Sequence, residues 1–118
     1  MPHSVVAVVA DLFFIAKIMD AAKRAAVPIE FVKSEADAVR RASDGAGTVL
    51  VDLNCAGIDP VQLVKSLKAV GPIRVVGYVS HVNIELRRQA LEAGYDLVVA
   101  KSALSQNLPN LLAADERR

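Results

Sequence analysis

The chain has no tryptophan, one cysteine, two histidines, two tyrosines and three phenylalanines in 118 residues. One cysteine can neither close an intramolecular disulfide nor complete a multi-cysteine zinc site, which fits a reducing compartment and makes the cytoplasm the expected location. The histidines, His3 and His81, stand far apart and suggest no metal cluster; His81, despite its titration near neutral pH, is read as a loop or surface residue. A dominant charge is also missing, since 14 Lys and Arg against 13 Asp and Glu leave a net +1. Nothing electrostatic therefore points to nucleic acid or to an anionic membrane. With few aromatics, no basic stripe and no helix-turn-helix segment, direct reading of DNA is not expected. Long apolar runs are lacking too: the first, Val5 to Ala10, meets Asp11 well short of the ~20 residues that span a bilayer, and no basic leader precedes it. A glycine-rich first turn is absent, the residues there being "ADLFF", which excludes the dinucleotide fingerprint.

What the chain does have is an alternation of short β-branched runs with helical patterns. Strands are expected over Val5–Val9, Ile29–Val32, Thr48–Val51, Arg74–Val79 and Leu97–Ala100. Between the first two, Lys17, Asp20 and Arg24 recur at helical spacing on an otherwise apolar segment, predicting a helix that shows water a narrow stripe. Ser34 and Asp37 have the spacing of a capping box at the start of a second helix, which ends near "SDGAG". Asp59 and Pro60 read as N-cap and first residue of a third, with Val61, Val64 and Leu67 inward. A fourth sets Leu86, Ala90 and Ala93 against Glu85, Arg88, Gln89 and Glu92 and stops at Gly94. The fifth is expected over about Ser105 to Ala113, with Pro109 near its first turn, and residues 113–118 read as a loose tail.

Strands alternating with helices call for parallel pairing through right-handed crossovers. The expected fold class is thus α/β: a three-layer sandwich around a five-stranded parallel sheet with five helices, in one domain over residues 1–118. In such sheets ligands collect at the carboxyl ends of the strands. Those ends carry Asp11, Asp52, Ser80 and Lys101. Two carboxylates, a hydroxyl and an ammonium at one edge can hold a divalent cation, expose a carboxylate to phosphorus and neutralise a transferred phosphoryl group.

With these residues the sequence resembles the receiver domain of bacterial response regulators. The stretches "VLVDLN", "DLNCAGIDPVQLVK" and "EAGYDLVVAKS" carry the resemblance, which covers nearly the whole chain. It implies the flavodoxin-like strand order 2-1-3-4-5. It also implies Asp52 as acceptor of a phosphoryl group from a histidine kinase or phosphotransfer protein, with Asn54 giving its backbone carbonyl, beside Asp11 and Asp52, to magnesium. Ser80 and Lys101 match the residues that hold the phosphoryl oxygens, Lys101 being expected to pair with Asp52. Output would pass by protein contact to a target protein rather than through enzymatic turnover; neither nucleic acid nor membrane is an expected partner.

The chain departs from the family pattern at several positions. Ala10 stands where the family has the first of two acids, which implies weaker magnesium binding. Ala56 and Pro60 replace a proline and a glycine beside the acceptor, and Ser102 rather than proline follows Lys101. Val98 occupies the place of the aromatic switch residue; Tyr78 and Tyr95 are the nearby rings, at other positions. These departures leave open a second reading, a pseudo-receiver that binds partners without being phosphorylated. Other chemistries fit less well. Cys55 is followed six residues later by Val61 instead of the arginine of a cysteine phosphatase, so it reads as a buried thiol; the second acid of an aspartate-based phosphohydrolase is replaced by Asn54. Of Phe13 and Phe14, beside Asp11, the expectation is core packing, with one ring available to a docking partner.

Overall fold

The apolar residues divide between two faces of one sheet, and that division sets the architecture. A computed structural model describes residues 4–80 and 83–113. The elements, in chain order, are β1 (Val5–Val8), α1 (Leu12–Ala25), β2 (Ile29–Val32), α2 (Glu35–Ser43), β3 (Thr48–Asp52), α3 (Pro60–Val70), β4 (Arg74–Val79), α4 (Ile84–Ala93), β5 (Leu97–Ala100) and α5 (Lys101–Ala113). All strand pairs are parallel and the sheet order is β2-β1-β3-β4-β5. β1, β3 and β4 lie inside the sheet and read as near-continuous Val and Leu because both their faces are covered.

On one face α1 and α5 bury Phe14, Ile18, Ala22, Leu104 and Leu108 against Leu50, Val76 and Tyr78. On the other, α2, α3 and α4 bury Ala38, Leu63, Val64, Leu67 and Ala90 against Val49, Val51, Val75 and Val98. Local chemistry begins each of the first four helices: Asp11, Ser34, Asp59 and Asn83 are N-caps whose side chains accept from backbone N–H groups of the first turn. Gly94 ends α4 at φ 130, a conformation that a residue with a Cβ rarely adopts.

The structure revises several expectations. β1 stops at Val8 and β3 runs on to Asp52, which joins the ladder opposite Tyr78. α1 shows water a broad face, on which Leu12, Phe13 and Met19 stand beside Lys17 and Asp20, because the sheet covers only the Phe14, Ile18 and Ala21–Ala22 side. In α3 it is Leu63 that is fully buried with Val64 and Leu67, and Val61 is half-buried. α5 starts at Lys101, immediately after β5, rather than near Ser105, and its backbone leaves helical geometry at Asn107 (φ −119, ψ 15), two residues before Pro109. Proline lacks the N–H that an uninterrupted helix needs at that point. The Asn107 side-chain amide donates to the Ala103 carbonyl at 3.0 Å across the kink. The expectations for His3, His81 and residues 114–118 lie outside what the structure describes.

Candidate functional site

At the carboxyl ends of β1, β3, β4 and β5 the sheet brings Asp11, Asp52, Ser80 and Lys101 to one edge. Each is placed by its element. Asp11 follows β1 and caps α1, its Oδ1 accepting from the N–H groups of Phe13 (3.0 Å) and Phe14 (3.3 Å). Asp52 is the last residue of β3, half-buried, and its Oδ1 accepts from the Asn54 N–H at 2.9 Å. The turn it opens is closed by the Cys55 N–H donating to the Asp52 carbonyl at 3.0 Å. No N–H group of the described residues donates to Asp52 Oδ2. Ser80 is exposed just beyond β4, and no hydrogen bond ties it to Asp52 or Lys101 among the described residues.

Lys101 corrects the expected ion pair. Its Nζ lies 3.0 Å from Asp11 Oδ2 and 4.8 Å from the centroid of the Phe14 ring, rather than on Asp52. The α1–α5 packing decides this: it sets the first residue of α5 beside the N-terminus of α1, where a carboxylate and an aromatic face both attract an ammonium. The Lys101 hydrogen bond, followed by the Phe14 N–H, holds the Asp11 carboxyl below the ordinary aspartate value. Both Asp11 oxygens are thus engaged.

A cation therefore meets few free donors at this edge. Among the described residues no group of three or more His, Cys, Asp and Glu side chains is arranged to hold a metal ion. The donors present are the Asp52 carboxylate, the Asn54 carbonyl and an Asp11 already shared with Lys101; Ala10, exposed beside them, offers none. Magnesium keeps several waters and takes as few as one or two carboxylates, so the set fits that ion loosely.

Beneath the edge lies Tyr78, by sequence only a ring at another position than the switch residue. Tyr78 is 1% exposed, packs edge-on against Phe14 (centroids 5.1 Å apart, planes at 61°), and its hydroxyl is buried with no hydrogen-bond partner among the described residues. Burial first, then the charges of Asp52 and Asp11, push its titration up. Strand alternation could have put Tyr78 on the same face as Ser80, but its position beside Asp52 depends on the β3–β4 register. The other candidate ring is tied down elsewhere: buried Tyr95 donates its hydroxyl to the Pro60 carbonyl at 2.9 Å. Val98 is buried under α4. Cys55 is buried as expected, and burial, helped by the Asp52 charge, raises its thiol titration, the opposite of an activated nucleophile. Of the paired phenylalanines Phe14 is 3% exposed and Phe13 91%, so one ring is core and the other stands free beside the site.

An open parallel sheet of order 2-1-3-4-5 with polar groups at its carboxyl edge defines the flavodoxin-like class. The solved structures whose fold it shares include receiver domains. The BeF3-activated receiver domain of DrrB matches with a TM-score of 0.85 over 100% of both chains at 15% identity. A CheY-like response regulator receiver domain from Methanospirillum hungatei JF-1 matches with a TM-score of 0.79 at 13% identity, over 99% of this chain and 98% of that one. The receiver domain of the sensor histidine kinase PA1611 from Pseudomonas aeruginosa PAO1, whose structure has a magnesium ion in the active-site cleft, matches with a TM-score of 0.81 at 16% identity over 97% of each chain. No family model and no curated protein matches the chain by sequence. This chain has the receiver-domain fold over its full length, and at these identities the fold is what is shared.

Proposed function

We propose that the chain is a receiver-type signalling protein of a two-component phosphorelay, with Asp52 as phosphoryl acceptor. The observation that carries this is the placement of Asp52: a half-buried carboxylate at the end of the central strand β3, one oxygen fixed by the Asn54 N–H and the other met by no N–H donor among the described residues, at the edge where Asp11 and Lys101 also stand. In the reaction an Asp52 carboxylate oxygen attacks the phosphorus of a phosphohistidine on a kinase or phosphotransfer protein. An O–P bond forms as the P–N bond breaks, and the imidazole leaves. Lys101 moves from Asp11 toward the incoming phosphoryl oxygens, and Ser80 supplies a hydroxyl donor from the end of β4. Magnesium, held by Asp52, the Asn54 carbonyl and Asp11, would supply positive charge to those oxygens.

The receiver-domain neighbours support the signalling role, and the exposed Phe13 ring beside the site offers a phosphodonor protein an apolar contact. Output by protein contact to a target fits the same reading, with neither nucleic acid nor membrane as partner. Among the described residues no helix is long and apolar enough to cross a membrane, and we assign the protein to the cytoplasm.

A second reading is favoured by one observation, the engagement of both Asp11 oxygens by the α1 cap and Lys101, with Ala10 adding no acid. In this pseudo-receiver reading the ion pair replaces the metal and the scaffold binds partners without phosphorylation. Incubation with magnesium and a small acyl phosphate, followed by intact mass measurement, decides between them. A gain of one phosphoryl group, absent from Asp52→Asn, is expected; no gain, with the cognate kinase also tried, would establish the pseudo-receiver.

A further inference from the structure

Tyr78 places a buried hydroxyl under the acceptor, and the surrounding groups leave it one strong acceptor. Buried polar atoms in folded proteins nearly always find a hydrogen-bond partner. Tyr78 stands opposite Asp52 in the β3–β4 ladder, so both side chains leave the sheet on the same face, the one that also carries Leu50 and Val76. Its ring is held edge-on by Phe14, which in turn lies under the Lys101 ammonium. Asp11 has both oxygens engaged. The Cys55 sulfur is a weak acceptor, and Tyr95 belongs to the cluster on the opposite face. Asp52 Oδ2 remains, a charged oxygen met by no N–H donor among the described residues, and hydroxyl-to-carboxylate bonds are of the stronger, charge-assisted kind.

We propose that Tyr78 is a positioning residue of the Asp52 site: its hydroxyl donates to Asp52 Oδ2 and fixes the orientation of that carboxylate at the sheet edge. The hydrogen bond is a property of the resting protein; its service to phosphoryl transfer rests on the phosphoacceptor reading above. Tyr78 thereby links the acceptor, through Phe14, to Lys101 on the neighbouring helix.

The test uses the whole chain with carbon-13 at the tyrosine Cζ, an atom whose resonance responds to hydrogen bonding of the hydroxyl. The two tyrosines give two signals, and Tyr78→Phe identifies one by removing it. In Asp52→Ala the Tyr78 signal is expected to move while that of Tyr95, bonded to the Pro60 carbonyl, stays; Asp52→Asn, which keeps an acceptor oxygen, moves it less. A Tyr78 signal identical in wild type and Asp52→Ala overturns the hydrogen bond. With a small acyl phosphate, Tyr78→Phe is expected to be phosphorylated about tenfold more slowly, from lost orientation of the nucleophile; an unchanged rate overturns the positioning role. A wild-type protein that takes no phosphoryl group counts against the phosphoacceptor reading, while the resonance comparison, which needs no donor, still decides the bond.

Discussion

Asp11 divides its carboxylate between two duties, one oxygen capping α1 and the other pairing with Lys101. Its neighbour Ala10 is exposed and leaves the edge one acid short of the pair that the family pattern carries. Affinity for a divalent cation rises with the number of charged ligands, so Ala10→Asp is expected to tighten magnesium binding about tenfold, as read by calorimetry. An unchanged affinity would mean that residue 10 faces away from the donor set. The place of Asp11 at a strand end was legible from the residues, since an acid that closes a short apolar run is a local signal. The partner of Lys101 was not, because Asp11 and Asp52 are both carboxylates at neighbouring strand ends and only the seating of α5 on α1 separates them.

Among the elements, β4 is closely fitted at Gly77. A Cβ placed on Gly77 would stand 3.0 Å from Leu53 Cδ2 and 3.1 Å from Tyr95 Cδ2, so a side chain there presses both neighbours back. Gly77→Ala is expected to destabilise the protein by about 1–3 kcal/mol in urea unfolding, the usual cost of overpacking, despite the better strand propensity of alanine. The start of β5 has its own fastening. Asp96 accepts from Lys68 Nζ (2.6 Å) and from the Val75 N–H (2.8 Å), joining α3, β4 and β5. Strand and helix existence followed from periodicity, whereas the starting point of α5 did not. Pro109 suggested a helix beginning four residues before it, but the chain forms helix from Lys101 and kinks at Asn107 instead, burying Leu104 and Leu108 against α1 and the sheet.

For the molecule as a whole, acid should be the informative perturbation. The Asp11 carboxyl is lowered chiefly by Lys101; that of Asp96 is raised by burial but lowered more by Lys68 and the Val75 N–H. A lowered carboxyl contributes stability that is complete above its unfolded value, near 3.8 for both, and is lost as pH falls through the lower folded value. Urea midpoints are therefore expected to drop steeply below that value, and Asp96→Asn should flatten this acid limb. A limb unchanged in Asp96→Asn would place the linkage elsewhere.

The sequence by itself determined the α/β class, the five strands, the caps at Ser34 and Asp59, the stop at Gly94 and the polar residues at the strand ends, because these depend on periods and contacts within a few residues. Its resemblance to receiver domains also gave the strand order that the structure has. Only the tertiary structure decided that Lys101 meets Asp11, that Phe14 is buried while Phe13 is exposed, and that Tyr78, its hydroxyl buried, stands opposite Asp52 in the ladder. Each of these depends on register or helix seating between segments distant in the chain, which side-chain periodicity does not encode.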